Sequence, residues 1–412
     1  MNYGLIGRSL KHSYSPLLHE MIGRYEYRLR ELEPEDLTYF FQKRDFRGLN
    51  VTIHYKQAVI PLLDHVDESA ALIGAVNTIV NRDGILWGYN TDLDGLLALL
   101  RSFDVDFRGR KVLILGTGGT CRTACRAAQL LGAGEILPVS RNEKPGAITY
   151  ETACTRHVDA EFLINTTPCG TYPDLDGIAI DPARFPRLQG VADVVYNPLS
   201  SQLVLRCREL GIPARGGLLM LAAQAAAAVE LFTGSPCPDG TASRLEAELL
   251  RRKQNLVFIG MPSSGKTSVG RLTAQLLNRP FVDLDEVIAT RAGRPVPDIF
   301  SDGEEAFRTL ESAAVRDLAH ETGLVIATGG GCVLRRENVE NLRRNGLLLF
   351  LDRPLADLLP TVDRPLADTA EKLARLYRTR RKYYEWAADR TLAVTGGIDA
   401  TARQAADAFL KE

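Results

Sequence analysis

The sequence predicts an α/β fold divided over several domains, and three observations carry that prediction. Short apolar, β-branched runs alternate with helical stretches along most of the chain, as at 111–115, 256–259 and 347–351. That alternation is typical of parallel sheets built from βαβ units. Glycine-rich turns follow two of these runs, and such turns let a backbone approach phosphate groups at a helix N-terminus. The length of 412 residues suits two or three domains.

The composition indicates a globular protein and argues against nucleic acids and membranes as partners. Hydrophobic residues make up 45% and charged residues 25% of the chain, which is ordinary for a protein with sizeable cores. Fifty basic against 51 acidic residues give a net charge of −1, so we expect small-molecule partners and no nucleic acid. The most apolar stretch, 217–232, is too short to span a bilayer, so no membrane association is expected. The sequence leaves the oligomeric state open.

The cysteines and the first residues indicate the compartment. Seven cysteines form no CxxC pair and no Cys/His spacing typical of a metal site. The first 16 residues contain no apolar core of a signal peptide. We therefore expect a reduced, cytoplasmic protein without structural zinc.

Changes in composition along the chain predict the domain boundaries. Residues 1–95 are expected to form one domain, and 96–236 a second domain of the dinucleotide-binding type, whose βαβ unit begins with the strand at 111. The helix near 217–233 should pack back on the first domain. Residues 237–254 combine a turn-rich stretch with a charged amphipathic helix, and they are interpreted as a linker. The last domain would then cover 255–412.

The sharpest motif is GMPSSGKT at 260–267, which follows the strand 256–259 directly. In this pattern backbone N–H groups bind phosphate oxygens, the Lys266 ammonium reaches the β- and γ-phosphates, and the Thr267 hydroxyl can bind magnesium. The motif predicts a nucleotide site.

Three further patterns follow the nucleotide motif. Asp283 and Asp285 stand at i and i+2 of a predicted strand, so one could hold magnesium through water and the other could bind a substrate hydroxyl; capping carboxylates are the alternative. Arg308 and Glu311 lie one helical turn apart, which by spacing alone favours a surface pair. Three glycines at 329–331 would admit a ligand against the backbone.

Taken in order, these motifs resemble the shikimate kinase family: P-loop, FxDxD, GExxFRxxE, GGG, RPL at 364–366 and LxxxRxxxYxxxAD at 376–389. The resemblance implies a P-loop domain like that of nucleoside monophosphate kinases. It implies that shikimate is held by Asp285, Arg308, Gly330 and Arg380. It implies catalytic roles for Lys266, Asp285 and the lid residue Arg364, and magnesium at Thr267 and Asp283. The implied ATP-binding residues are Gly260, Ser263, Ser264, Gly265, Lys266, Thr267, Ser268 and Arg364.

The lid departs from the family pattern. The stretch between DRP at 352–354 and RPL at 364–366 is short, and the further basic residue usual in the family is missing. A lid with fewer cations should close less well over ATP.

A second glycine-rich turn, GTGG at 116–119, follows the strand 112–115. The third glycine position of a dinucleotide fingerprint is occupied by Cys121, so a purely structural turn is the alternative. The next strand ends in Ser140 and Arg141, with Lys144 close behind, where an NAD site would carry an acidic residue. These cations favour the 2′-phosphate of NADP.

Four polar segments in the first 95 residues are rich in hydroxyl, amide and charged groups: HSYSP at 12–16, NVTIHYK at 50–56, GAVNT at 74–78 and GYNTD at 88–92. In this order they resemble the shikimate dehydrogenase family, and further matches run to about residue 234. The resemblance implies that residues 1–95 form the substrate-binding domain and that Lys56 and Asp92 are a catalytic pair. The implied substrate residues are Ser13, Ser15, Thr52, Asn77, Tyr196 and Gln224. The implied NADP residues are Gly116, Thr117, Gly118, Gly119, Thr120, Ser140, Arg141, Lys144 and Gly217.

Together the two resemblances predict a bifunctional enzyme of the shikimate pathway. The front part would reduce 3-dehydroshikimate to shikimate with NADPH, and the rear part would phosphorylate shikimate to shikimate 3-phosphate with ATP and Mg²⁺. One alternative is a rear domain that binds nucleotide and regulates the dehydrogenase. Another is a dehydrogenase for quinate or a related cyclic hydroxy acid, with NAD.

Overall fold

The computed structural model describes residues 2–8, 10, 13–52, 55–360 and 367–410, so the predicted lid residue Arg364 lies outside the described residues. The chain forms two compact units. The first comprises Met1–Asn197 and Arg206–Glu248, and the second comprises Pro198–Leu205 and Leu249–Glu412. No described helix is both long enough and apolar enough to cross a membrane.

The first part of unit one is a mixed six-stranded sheet. Its elements are β1 Tyr3–Gly7, α1 Ser15–Ile22, β2 Tyr27–Glu31, α2 Leu37–Lys43, β3 Gly48–Val51, β4 His65–Val66, α3 Glu68–Ile73, β5 Thr78–Arg82, β6 Ile85–Tyr89 and α4 Thr91–Arg101. The strand order is β2-β1-β3-β5-β6-β4, and β5 runs antiparallel to both of its neighbours. The hairpin turn at Asp83-Gly84 has positive φ at both residues, which matches the twist of the two strands it joins.

The second part of unit one is an all-parallel sheet. Its elements are β7 Lys111–Leu115, α5 Gly119–Leu130, β8 Glu135–Ser140, β9 Ile148–Thr149, α6 Tyr150–Arg156, β10 Phe162–Asn165, β11 Gly190–Asp193, β12 Ala214–Arg215 and α8 Leu218–Thr233. Helix α7, Gln202–Glu209, lies between β11 and β12 in the chain, and a boundary between the two units falls inside it, after Leu205. The strand order is β12-β11-β10-β7-β8-β9. The chain therefore adds β8 and β9 on one side of β7 and then β10, β11 and β12 on its other side. The predicted glycine-rich turn therefore lies at the switch point of the sheet, where ligands of open α/β sheets bind.

Helix α8 packs on elements of the first sheet. At its crossing with α4, a Cβ on Gly95 would overlap the carbonyl oxygen of Met220, so only glycine fits there. Near the other end of α8, the Phe232 ring fills the space beside Gly48 on β3. These two close approaches seat α8 against the elements that carry the site.

Helix α9, Thr241–Lys253, occupies most of the segment interpreted as a linker. Its Leu245 and Leu249 side chains are buried, and Arg215 binds Glu246 at 3.0 Å. The boundary between the two units falls inside this helix, between Glu248 and Leu249.

Unit two contains a parallel five-stranded sheet with the order β14-β15-β13-β16-β17. Its elements are β13 Asn255–Ile259, α10 Lys266–Leu277, β14 Phe281–Asp283, α11 Leu284–Ala292, α12 Val296–Phe300, α13 Glu304–Leu318, β15 Val325–Ala327, α14 Arg336–Asn345, β16 Gly346–Asp352, α15 Ala370–Ala387, β17 Arg390–Ala393 and α16 Ile398–Leu410. The central strand β13 is buried on both faces, which explains its uninterrupted apolar sequence.

One predicted strand was too long. The strand expected at 281–285 ends at Asp283, and Asp285 lies in the first turn of α11. The cause is a helix cap, because the Asp283 carboxylate accepts a hydrogen bond from the Asp285 N–H at 3.0 Å. The two carboxylates therefore do not share one side of a strand.

Candidate functional site

A lysine–carboxylate pair lies in the first part of unit one. Lys56 Nζ is 2.5 Å from Asp92 Oδ2, and the two side chains are 27% and 15% exposed. Lys56 follows the end of β3 in a turn, whereas Asp92 stands in the first turn of α4, where the helix dipole favours a negative charge. An ammonium group held by a carboxylate can donate a proton to a substrate oxygen.

Asn77 is hydrogen-bonded to this pair, and Lys56, Asp92 and Asn77 are called the trio below. Its amide nitrogen donates to Asp92 Oδ1 at 2.9 Å, so both carboxylate oxygens of Asp92 accept a hydrogen bond. Its amide oxygen accepts the backbone N–H of Thr91 at 2.7 Å. The backbone also ties the neighbouring segments together, since Val76 N–H donates to the Lys56 carbonyl. Three residues predicted from separate motifs thus meet directly.

The other predicted substrate residues lie on separate elements. Ser13 precedes α1, and its hydroxyl accepts the N–H of Ser15 at 3.2 Å. The Tyr196 ring lies 5.6 Å from the ring of Tyr14, and burial raises the pKa of the Tyr196 hydroxyl, which keeps its proton. Thr52 follows β3 directly and is partly buried. On α8, the amide of Gln224 donates to the Leu221 carbonyl of its own helix at 2.9 Å.

The turn after β7 is shaped to receive an anion. Gly116 has a φ of 107°, and a Cβ there would press on the Thr166 hydroxyl. Gly118 and Gly119, by contrast, face open space, and α5 begins at Gly119 with its first N–H groups unused by the helix. A pyrophosphate fits this arrangement of backbone donors and space.

Two cations stand beside that turn. Lys144 Nζ donates to the Thr117 hydroxyl at 3.2 Å. Arg141 follows β8 directly, is exposed, and forms no ion pair with the described residues. On the other side, a Cβ on Gly217 would overlap the Val194 carbonyl oxygen, so the chain passes close to β11 there. The residues present fit a dinucleotide that carries a 2′-phosphate.

The P-loop of unit two is folded around its lysine. Lys266 is 5% exposed, and its Nζ donates to the carbonyls of Gly260 and Met261 at 2.9 and 2.8 Å. The loop passes through positive φ at Gly260, Ser263 and Gly265, a backbone conformation that glycine adopts readily and other residues rarely.

Two features of this loop fit a nucleotide and its metal. The hydroxyl oxygens of Ser263 and Ser264 are buried and have no hydrogen-bond partner among the described residues. Thr267 Oγ1 donates to Asp283 Oδ2 at 2.7 Å, which places two oxygen ligands of the kind magnesium prefers side by side. The donor set therefore fits phosphate and Mg²⁺.

Arg308 and Glu311 were expected on spacing alone to form a surface pair; they do form a pair, but its predicted place on the surface was wrong. They face the interior of unit two, with side chains 7% and 0% exposed and 2.7 Å apart. Arg308 also binds Glu304 at 3.0 Å. Burial raises the pKa of Glu311, against the effect of the neighbouring guanidinium.

The remaining predicted substrate residues of unit two converge on this arginine. Arg380 Nη1 and the Tyr384 hydroxyl both donate to the carbonyl of Gly330. A Cβ on the adjacent Gly331 would overlap the Arg308 guanidinium, and one on Gly329 would contact the carboxylates of Asp285 and Glu311. Two guanidinium groups, the carboxylates of Asp285 and Glu311, and a backbone without side chains thus surround one site.

Three residues that support this site were assigned no role in it from the sequence. Glu304 and Glu311 hold Arg308 from both sides, and Tyr384 fixes the Gly330 carbonyl. The i−4 spacing from Arg308 could have indicated Glu304, because that position shares a helix face with Arg308 and with Glu311.

Two family models match the chain. Residues 5–79 match the shikimate dehydrogenase substrate binding domain, and residues 262–411 match shikimate kinase. Among curated proteins, the shikimate dehydrogenase (NADP⁺) of Moorella thermoacetica is 34% identical over 288 residues, which cover 64% of this chain and 96% of that protein.

Solved structures give the same picture for the front of the chain. Shikimate 5-dehydrogenase from Thermus thermophilus, in complex with NADP(H) and shikimate, is 28% identical with a TM-score of 0.54 and covers 60% of this chain and 99% of its own. Quinate dehydrogenase from Corynebacterium glutamicum, in complex with NAD, is 29% identical with a TM-score of 0.54 and covers 61% and 98%.

Proposed function

The chain belongs to the shikimate dehydrogenase family and carries a shikimate kinase domain behind the dehydrogenase part, and we propose that it reduces 3-dehydroshikimate with NADPH and then phosphorylates the shikimate formed, with ATP. Lys56, hydrogen-bonded to Asp92, carries the first half of this proposal. The convergence of Arg308, Arg380 and Asp285 carries the second.

In the first reaction, Lys56 is the proton donor. NADPH, when bound, supplies the hydride to the carbonyl carbon. The proton leaves Lys56 Nζ for the carbonyl oxygen, and Asp92 holds the ammonium in position and balances its charge before transfer. Asn77 keeps the Asp92 carboxylate oriented. Ser13, Ser15, Thr52, Tyr196 and Gln224 would bind the hydroxyl and carboxylate groups of the substrate.

The choice of cofactor depends on Arg141. A guanidinium at the end of β8 meets a 2′-phosphate favourably, whereas an NAD site uses an acidic residue there. Because the chain is also similar to a quinate dehydrogenase solved with NAD, its activity with NADPH has to be compared with its activity with NADH. We expect kcat/KM for NADPH to exceed that for NADH by about 10- to 100-fold, the value of one or two charge-assisted hydrogen bonds. Arg141→Gln should remove most of that preference, and equal use of both cofactors by the unaltered chain would support the alternative.

In the second reaction, Arg308 and Arg380 would hold the shikimate carboxylate. Asp285 would orient the attacking hydroxyl and accept its proton. Lys266 would exchange its bonds to the loop carbonyls for phosphate oxygens, while the Ser263 and Ser264 hydroxyls find partners there. ATP with Mg²⁺, when bound, supplies the phosphoryl group, and Thr267 and Asp283 would hold the metal.

One assay tests both halves. The chain is given 3-dehydroshikimate and NADPH, first without and then with Mg-ATP, while NADPH loss and ADP release are followed separately. We expect ADP only after shikimate has formed. Lys56→Met should lower NADPH consumption by about 10²- to 10⁴-fold and leave the kinase intact when shikimate is added. Lys266→Met should do the reverse.

Lys111→Met is the control for the first substitution. Lys111 is also a partly buried, ion-paired lysine of unit one, bound to Asp159 at 2.9 Å, and its loss should not change kcat. NADPH consumption without ADP release, even with added shikimate, would contradict the kinase half. It would favour a nucleotide-responsive rear domain that regulates the dehydrogenase.

A further inference from the structure

A chain of hydrogen bonds leads through the interior of unit one to the Asp92 carboxylate. The Tyr27 hydroxyl donates to Asn50 Oδ1 at 2.8 Å, and Asn50 Nδ2 donates to Thr78 Oγ1 at 3.0 Å. The Thr78 hydroxyl donates to Asn77 Oδ1 at 3.1 Å. Asn77 Nδ2 then donates to Asp92 Oδ1 at 2.9 Å. Asn50, Thr78 and Asn77 are 5%, 0% and 3% exposed, so water does not compete along this route.

The direction of the chain is fixed at both ends. The backbone N–H of Thr91 can only donate, and it binds Asn77 Oδ1, so the Asn77 amide must present its nitrogen to Asp92. At the far end, burial raises the pKa of Tyr27 well above its usual value, so the phenol keeps the proton that it donates. The Thr78 hydroxyl reaches Asn77 Oδ1 directly at 3.1 Å, or through the Thr91 hydroxyl, which lies 3.0 Å from Thr78 Oγ1 and 3.2 Å from Asn77 Oδ1. Along either route the donors point toward the carboxylate, and hydrogen bonds in such a series polarise one another.

The far end of the chain touches the substrate-binding side of the site. The Ser15 side chain hydrogen-bonds to the Tyr27 hydroxyl. The His19 ring stacks on the Tyr27 ring with centroids 3.9 Å apart. Tyr27 is thereby held between a predicted substrate residue and the interior chain. No motif pointed to it, because Tyr27 lies on the edge strand β2, outside the four polar segments.

We propose that Tyr27, Asn50 and Thr78 are positioning residues for the reduction, which act on the Lys56–Asp92 pair by fixing the orientation of Asn77. This inference rests on the proposed function, in which Lys56 donates the proton. Asp92 must hold the lysine ammonium at one oxygen while its other oxygen is anchored. Loss of the donor chain would leave the Asn77 amide oxygen to Thr91 alone. The Asn77 amide would then hold the Asp92 carboxylate less firmly, and the ammonium would be less well aimed at the substrate oxygen.

Two nearly isosteric substitutions interrupt the chain at different points. Tyr27→Phe and Thr78→Val should each lower the dehydrogenase kcat about tenfold, the value of one buried hydrogen bond. KM for 3-dehydroshikimate should stay within about threefold, because neither residue is proposed to bind substrate. The double variant should be no slower than the slower single variant, since both changes break one series. Thr78→Ser keeps the hydroxyl and should restore kcat to within about twofold of the original value.

The variant Thr241→Val is the control that distinguishes a loss of positioning from a loss of stability. Thr241 is also a buried threonine of unit one, with its hydroxyl bound to the Pro238 carbonyl at 2.6 Å, away from the trio. This variant should lower Tm without changing kcat. Should Thr78→Val fail to fold, Tyr27→Phe at the sheet edge still decides the question.

The outcomes keep this inference apart from the proposed function. Unchanged kcat in folded Tyr27→Phe and Thr78→Val, with Lys56→Met inactive, would overturn the inference alone. Strictly additive losses in the double variant would also overturn it. Undiminished kcat in Lys56→Met would instead refute the proposed role of the pair.

Discussion

Arg308 depends on the space that a single glycine leaves for it. The guanidinium occupies the volume where a Cβ of Gly331 would stand, and Glu304 and Glu311 hold it there. Gly331→Ala should therefore push Arg308 out of the site. KM for shikimate in the kinase reaction should rise by about 10- to 100-fold, the value of a lost charge-assisted hydrogen bond.

Gly397→Ala is the matched control, because a Cβ at that glycine of unit two meets nothing within 4 Å. Steady-state kinetics with shikimate as the varied substrate measure both variants. An unchanged KM in Gly331→Ala would mean that Arg308 does not hold the shikimate carboxylate.

Residue identities could be predicted from the sequence better than residue environments. The motifs named Arg308, but spacing alone could not tell a buried Glu311 from an exposed one, because burial depends on the distant segment 329–331 that covers the helix. The inward fold of Lys266 onto its own loop was equally out of reach, because it depends on local positive φ values rather than on residue type. Arg364 stays a prediction, outside the described residues.

Helix α1 contains a buried histidine, and its burial makes the free energy of unfolding depend on pH. His19 is 1% exposed, its Nδ1 lies 2.7 Å from the Tyr25 hydroxyl, and burial lowers its pKa from 6.5 to about 3. The folded chain therefore keeps His19 neutral, while the unfolded chain binds a proton below pH 6.5. Stability should fall as the pH drops, by about 1–2 kcal/mol between pH 6.5 and pH 5.

Calorimetry of the transition that abolishes dehydrogenase activity measures this effect. His19→Gln should lower Tm at pH 7 but flatten its dependence on pH down to about pH 5. His65→Gln, at an exposed histidine of the same unit, should keep the original slope. An identical slope in His19→Gln would show that other groups cause the acid sensitivity.

Strands and helices with a strong apolar pattern could be predicted from the sequence, whereas their ends could not. The run at 256–259 is a strand in the structure, with Asn255 as its first residue. The predicted strand at 281–285 ended early because the Asp283 side chain caps the next helix, a competition that apolar pattern does not report. The antiparallel strands β5 and β6 were not predicted, and only their ends overlap the polar motifs at 74–78 and 88–92.

At the scale of the whole molecule, the product of the first proposed reaction, shikimate, is the substrate of the second. It need not pass directly from one site to the other. We expect shikimate to leave the first site and reach the second through solution. A mixture of Lys56→Met and Lys266→Met chains should then form shikimate 3-phosphate at the rate, and after the lag, of the unaltered chain at equal concentrations of active sites. Coupled measurements of NADPH loss and ADP release follow both.

A shorter lag in the unaltered chain than in the mixture would contradict free diffusion. The comparison needs one control, in which each variant alone produces no shikimate 3-phosphate from 3-dehydroshikimate. Added shikimate should rescue only Lys56→Met.

Helix α9 limits where the chain can be divided into separate fragments. A fragment that stops at residue 236 loses the partner of Arg215 and the Leu245 side chain, and one that starts at residue 255 loses Leu249 and the Arg251 carbonyl that Arg279 binds. Separate expression of the two activities therefore requires overlapping fragments that both retain residues 241–253. A gene split into two reading frames would have to duplicate this helix, and a protease that cleaves within it would damage both halves with a single cut.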